Sequence, residues 1–204
     1  MTAKISSSSN HFLDTNVVLR HANDDSGEFA TDIATILSES AGKAPTRKLW
    51  VSHVLFGELR AKNFKPGRFT DVNDLARYIR SIATVVTPDP ATMLRAARLR
   101  NFDWTRSPAK KGKQEKPRCM TLGDAIHLVS ALWVKEATEV SDLEFMTFDN
   151  SSNKSVETDI GTKALPILNL EEFTHGISSD PDVFALLRLQ RLRPILRQMP
   201  FDLG

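Results

Sequence analysis

Four carboxylates in this chain sit where acids could do chemistry together: Asp14, Glu58, Asp124 and Asp149. Asp14 ends the run His11-Phe12-Leu13 and precedes Thr15-Asn16. Asp149 ends Glu144-Phe145-Met146-Thr147-Phe148 in the same way. A strand would bury each run and deliver its Asp to the strand's C-terminal end, the edge where open α/β sheets bind ligands. Glu58 and Asp124 fall on segments with helical spacing and can converge on that edge from above. Carboxylates gathered within a few ångströms repel one another, so the cluster requires a cation or raised pKa values. Oxygen-only ligands favour Mg2+ or Mn2+ over zinc. The chemistry would be phosphodiester hydrolysis. The acids alone repel such a substrate, and a divalent ion held among them offsets that charge and activates water.

Each acid also has a plain structural use. Asp14 and Asp149 fit turn residues that bond their own backbone. Glu58 fits a solvated helix face. Thr121-x-x-Asp124 fits a capping box, where a negative charge also suits the helix dipole. Other chemistries find little support. The histidines (His11, His21, His53, His127 and His175) show no HExxH-type spacing. His127, one turn after Asp124, is expected to pack beside the site or in the core. No phosphate-binding glycine loop, GxSxG elbow or GxGxxG is present. Position 16 is Asn, where a hydrolase using an aspartyl-phosphate would usually carry a second Asp. The single Cys119 excludes an internal disulfide and a cysteine-rich zinc site.

The elements that must position these acids follow from periodicity. Strands are expected at 11–14, 49–51, 84–87, 144–149 and 165–168, with Thr15 and Asn16 turning the chain after the first. Helices are expected at 28–41, after Ser52 (which can cap it), at 72–83, at 91–100 and from Leu122 to about Ala137. Strands alternating with helices predict an α/β fold, a three-layer α/β/α sandwich around a mostly parallel sheet of about five strands. Residues 1–10 read as a Ser-rich leader without a signal-peptide core, and no window approaches the roughly 18 apolar residues of a membrane span. A cytoplasmic protein is the expectation. One domain over 11–176 is expected, followed by a basic amphipathic helical tail over 177–204. The formal net charge is only +2, so distribution matters more than the total. Residues 101–120 carry six basic side chains against Asp103 and Glu115. Arg106, Lys110, Lys111, Lys113, Lys116 and Arg118 could contact phosphates, and Trp104 could stack on an unpaired base. The same loop also fits a solvated charged insertion.

At the four acids the chain resembles PIN-domain ribonucleases, particularly the VapC-type toxins of bacterial toxin–antitoxin pairs. The matching pieces are Leu13-Asp14-Thr15-Asn16, Val51-Ser52 with Gly57-Glu58-Leu59, Leu122-Gly123-Asp124-Ala125-Ile126-His127-Leu128 and Phe145-Met146-Thr147-Phe148-Asp149. They span roughly residues 11–173, in the family's order. The resemblance implies an acidic pocket for one or two divalent ions. Asp14, Asp124 and Asp149 would ligate metal, and Glu58 would hold a second ion or orient the water. Asn16, Ser52 and Thr147 would arrange the carboxylates or touch a phosphate. It implies an endoribonuclease acting on single-stranded or looped RNA, with a cognate antitoxin as partner. The chain departs from the compact toxins in its basic loop, its Leu-rich tail, its leader and the Asn150-Ser151-Ser152-Asn153 run after Asp149. A housekeeping RNA-processing nuclease and a non-catalytic RNA- or protein-binding module therefore stay open. The tail offers a surface for a homodimer or for an antitoxin.

Overall fold

The computed structural model of the chain describes residues 6, 8–23, 26–65, 67–107, 116–150 and 163–196. Five parallel strands form one sheet: β1 (Asn10–Leu13), β2 (Lys48–Ser52), β3 (Ala83–Val86), β4 (Glu144–Met146) and β5 (Gln190–Leu192). Their order is β3-β2-β1-β4-β5, which puts β1 at the centre. Leu13 is in register with Val51 on one side and Met146 on the other.

Alternation along the strands builds the three layers, because successive side chains point to opposite faces. Phe12, Trp50 and Phe145 enter one core, and Leu13, Val51 and Met146 enter the other. Phe12 stacks on Phe145 with ring centroids 5.8 Å apart. The first core is closed by α5 (Pro90–Arg100), α6 (Leu122–Ala137) and α7 (Pro181–Arg188). The second is closed by α1 (Thr15–Asn23), α2 (Ala30–Ser38), the short α3 (Val54–Glu58) and α4 (Val72–Ile82). With both faces covered, the fold is the α/β/α sandwich that the alternation predicts.

Local chemistry fixes the helix starts. Asp71, Asp89, Thr121 and Asp180 each accept a backbone N–H in the first turn of α4, α5, α6 and α7. Pro90 and Pro181 occupy the first turn, where no N–H is missed. Among the described residues no helix is long and apolar enough to cross a membrane.

Three expectations change. Thr15 and Asn16 do not form a turn; they are the first residues of α1, which leaves β1 after Asp14 alone. Leu165-Pro166-Ile167-Leu168 is not a strand. Leu165 N–H donates to Cys119 O at 2.9 Å, and the chain then enters a 3-10 helix over Ile167–Phe173. Pro166 has no N–H to give a ladder, and Leu165 and Ile167 are buried in the first core all the same. The fifth strand comes instead from the segment expected to continue as a tail helix. That helix ends at Arg188 and β5 follows, pairing Phe145 with Arg191 and Met146 with Leu192.

Candidate active site

The C-terminal edge of the sheet gathers the acids. Asp14 follows β1 directly and is 5 % exposed. Its backbone N–H donates to Met146 O at 3.0 Å, extending the β1–β4 pairing by one bond. Its Oδ2 accepts from Asn16 Nδ2 at 2.7 Å and from Thr147 Oγ1 at 2.6 Å. Asn16 also bonds Thr147 Oγ1 through Nδ2 at 3.0 Å, and its Oδ1 accepts the Phe148 N–H at 3.0 Å. The Asp149 N–H donates to Thr147 Oγ1 at 2.9 Å. Thr147 and Asn16 thus tie the ends of β1 and β4 together and fix one face of Asp14. These two residues arrange carboxylates, one of the two roles that the resemblance gives them. Ser52 is fully buried and accepts the Val54 N–H at 3.3 Å, so it holds the start of α3 and offers nothing to a phosphate.

A second group faces the first from the other side of β1. Thr15 Oγ1 donates to Glu58 Oε2, and His127 Nε2 lies 3.0 Å from the same oxygen and 3.1 Å from Thr15 Oγ1. Glu58 is the last residue of a five-residue helix, not a mid-helix position. Burial acts to raise its pKa, but the bonds from His127 and Thr15 and the charges of His127 and Arg60 outweigh it and hold the carboxyl below its ordinary value. His127 is 1 % exposed. Burial acts to lower its pKa, yet the Glu58 bond and the charges of Asp14, Glu58 and Asp124 carry it above the ordinary imidazole value. Gly123 makes room for this arrangement, because a Cβ there would collide with Glu58 Oε1 and lie 3.2 Å from its Cδ.

Asp124 closes the capping interaction that its sequence setting predicts. Its N–H donates to Thr121 Oγ1 at 3.1 Å as the helix cap, while its own Oδ2 accepts from that hydroxyl at 2.6 Å. Burial, then the charge of Asp14 and, less strongly, that of Asp149, push its carboxyl up to about 7, against the pull of the Thr121 bond and of His127. Asp124 therefore feels the charges of Asp14 and Asp149. The donor set is all oxygen, and its mutual repulsion is what a hard divalent cation relieves, so its chemistry fits Mg2+ or Mn2+. Among the described residues no three acidic, histidine or cysteine side chains are arranged to hold an ion as they stand.

The expected RNA-binding loop fares differently. Trp104 is fully buried in the first core and its indole N–H donates to Leu99 O at 3.0 Å, so it cannot stack on a base. Arg118 is 5 % exposed, and its guanidinium lies over the Phe173 ring. Arg106 lies over the same ring at 4.5 Å and pairs with Glu172 at 2.6 Å. Lys116 is exposed. Lys110, Lys111 and Lys113 lie outside the described residues. Thr15 and Gly123 are the site residues that sequence reasoning passed over, and His127 is the one it left between site and core. The signal for all three was spacing: Thr15 adjoins Asp14, Gly123 adjoins Asp124, and His127 stands one turn further along α6. No family model matches the chain, and no curated protein matches it.

Proposed function

We propose that the protein is a Mg2+- or Mn2+-dependent endoribonuclease of the PIN-domain kind, acting in the cytoplasm, with the toxin of a toxin–antitoxin pair as its setting. The observation that carries this reading is the coupling of Asp124 to Asp14 and Asp149 at the C-terminal edge of a parallel sheet. A buried acid raised further by two neighbouring carboxylates is costly at such an edge unless a cation is to be held there.

Asp14, Asp124 and Asp149 would hold the ion. Bound there, it would supply Lewis-acid stabilisation of a phosphodiester and of its leaving oxygen. The chain's own residues supply positioning. Asn16 and Thr147 keep Asp14 Oδ2 in one orientation. Thr121 does the same for Asp124. Glu58, held ionised by His127 and Thr15, can accept a hydrogen bond from the attacking water and orient it in line with the phosphorus. A protonated His127 offsets part of the acid cluster's charge toward an incoming phosphate.

The test is cleavage of a labelled structured-RNA pool by purified protein with Mn2+, Mg2+ or EDTA, beside a folded Asp14→Asn variant. Ion-dependent cleavage that the variant lacks supports the proposal. Equal cleavage by the variant, or none in any lane, overturns it. One observation favours a second reading, a non-catalytic PIN-like module. Glu58 is turned to His127 and Thr15, and no ready ion cage exists among the described residues. Such a module would bind RNA and cleave nothing at any ion concentration.

A further inference from the structure

The acids lie between two unlike pockets. The first is a groove of about 810 Å3 lined by His53, Phe56 of α3, Pro88 after β3, and Leu122 and Ile126 of α6, with Glu58 and Gly123 also in its lining. Phe56 meets His53 edge to face, with centroids 6.0 Å apart at 88°. Leu122 is 44 % exposed although it opens the helix that carries Asp124. Thr87, also in the lining, has its Oγ1 3.5 Å from His53 Nδ1. An apolar slot with aromatic walls and a few polar atoms at its mouth suits a flat heterocycle.

The second pocket is lined by Asn16, Leu19, Arg20 and Asn23 of α1, together with Lys65 and Phe148, and among the described residues no acid lines it. The Arg20 guanidinium lies 4.7 Å from the Phe148 centroid and 5.1 Å from that of Phe29. Cation–π contact of this kind fixes a guanidinium. The Asn23 side chain bonds Asn63 O and the Lys65 N–H, each at 2.7 Å, which pins the loop that carries Lys65 over α1. Asn16 belongs both to this pocket and to the Asp14 cluster. The groove is shared by α3 and α6, which close the second and the first core respectively, whereas the Lys65 pocket lies along α1 of the second.

We infer that single-stranded RNA crosses the sheet edge between these pockets, with an unpaired base in the His53–Phe56–Leu122 groove and a neighbouring backbone phosphate at Arg20 and Lys65. This path rests on the nuclease reading and puts the intervening phosphodiester over Asp14. It explains why a cluster that repels phosphate is flanked by cations on one side and by a base-sized apolar slot on the other. It also moves RNA recognition away from residues 101–120, whose Trp104 is buried.

Fluorescence anisotropy with a labelled single-stranded RNA tests the path. The full chain in an Asp14→Asn background with EDTA binds without cutting, so the result does not depend on catalysis. Failure of the nuclease reading would show in the separate cleavage assay. Lys65→Glu is expected to weaken binding by about tenfold and to lower the slope of log affinity against log salt by about one, the loss of one phosphate contact. Phe56→Ala and Leu122→Ser are expected to weaken binding to intact RNA. They should leave unchanged the affinity for an oligonucleotide carrying an abasic nucleotide at the held position. Leu122 is exposed, so its variant tests the groove even if Phe56→Ala fails to fold. Unchanged affinity in folded Lys65→Glu and Leu122→Ser overturns the path. Equal weakening toward intact and abasic strands overturns the base assignment, and no RNA binding by the parent protein overturns the whole.

Discussion

Gly123 and the Glu58 carboxylate occupy one shared space, so a side chain on the first displaces the second. The colliding atom is the far end of a flexible side chain, which can swing away at small cost in stability. Swinging away breaks its bonds to Thr15 and His127. Gly123→Ala also gains helix propensity, up to about 1 kcal/mol, which offsets part of the two lost hydrogen bonds, about 1 kcal/mol each. The variant is therefore expected to melt within a few degrees of the parent while cleavage falls about tenfold or more, equivalent to about 1.4 kcal/mol. Melting curves and single-turnover cleavage separate the two effects. Full activity in the variant would mean that the position of Glu58 does not matter to the reaction.

The ion-free protein should lose stability as pH rises. Asp124 is pushed up to about 7, while in the unfolded chain it titrates near about 3.9. Between those values the native state holds a proton that the unfolded state has released, so stability falls across the window and stays lower above it. His127, raised above its ordinary value, acts in the same direction through its own, higher window. Glu58, lowered, contributes stability that is lost only at the acid end. Asp124→Asn removes the main source of the fall. It is expected to melt a few degrees higher than the parent at about pH 8 in EDTA while abolishing cleavage. Mn2+ should stabilise the parent more at about pH 8 than at about pH 5, because only the ionised acid binds it. Identical melting profiles for parent and variant would remove Asp124 from the charge cluster.

Trp104 separates what the sequence could tell from what it could not. Its setting among lysines and arginines pointed to an exposed loop, and its burial depends on a first core whose α6, 3-10 helix and α7 members lie far away along the chain. Charge density is a local property, whereas burial is set by tertiary packing. Trp104→Ala is expected to cost about 3–5 kcal/mol of stability, measured by denaturant unfolding. Trp104→Phe should keep RNA affinity unchanged, where a base-stacking residue would lose it.

The same distinction explains β5. Asp14, Asp124, Asp149 and four of the strands were legible because each lies in a local pattern of apolar alternation or capping. Gln190-Arg191-Leu192 has no such pattern, and after a leucine-rich basic helix it reads as more helix. Its strand exists because Arg191 is satisfied inside the protein. Its guanidinium donates to Ile167 O and Leu189 O at 3.0 Å each, and to Leu186 O, and it pairs with Glu171 at 2.7 Å. Burial lowers its pKa even so. On an exposed helix Arg191→Leu would change stability by less than about 0.5 kcal/mol. In the sheet it strands three carbonyls, and a loss of about 2–3 kcal/mol is expected. A near-silent variant in urea unfolding would argue that residues 190–192 do not pair with β4.

Thr147 tests whether holding Asp14 is worth more than placing it. Its hydroxyl is a donor to Asp14 Oδ2 and an acceptor for the Asp149 N–H, so one atom orders two of the proposed ion ligands. Thr147→Val keeps the shape and removes these two bonds together with the one from Asn16 Nδ2; Thr147→Ser keeps all three and removes a methyl group. Residues that orient metal ligands typically contribute about 10–100-fold in ion affinity or activity. Thr147→Val is therefore expected to need about that much more Mn2+ for half-maximal cleavage, while Thr147→Ser stays near the parent. A role in packing alone predicts the reverse order, since Val fills the buried space and Ser does not. The ion titration of the two variants thus decides between an ordered ligand set and a well-packed strand end.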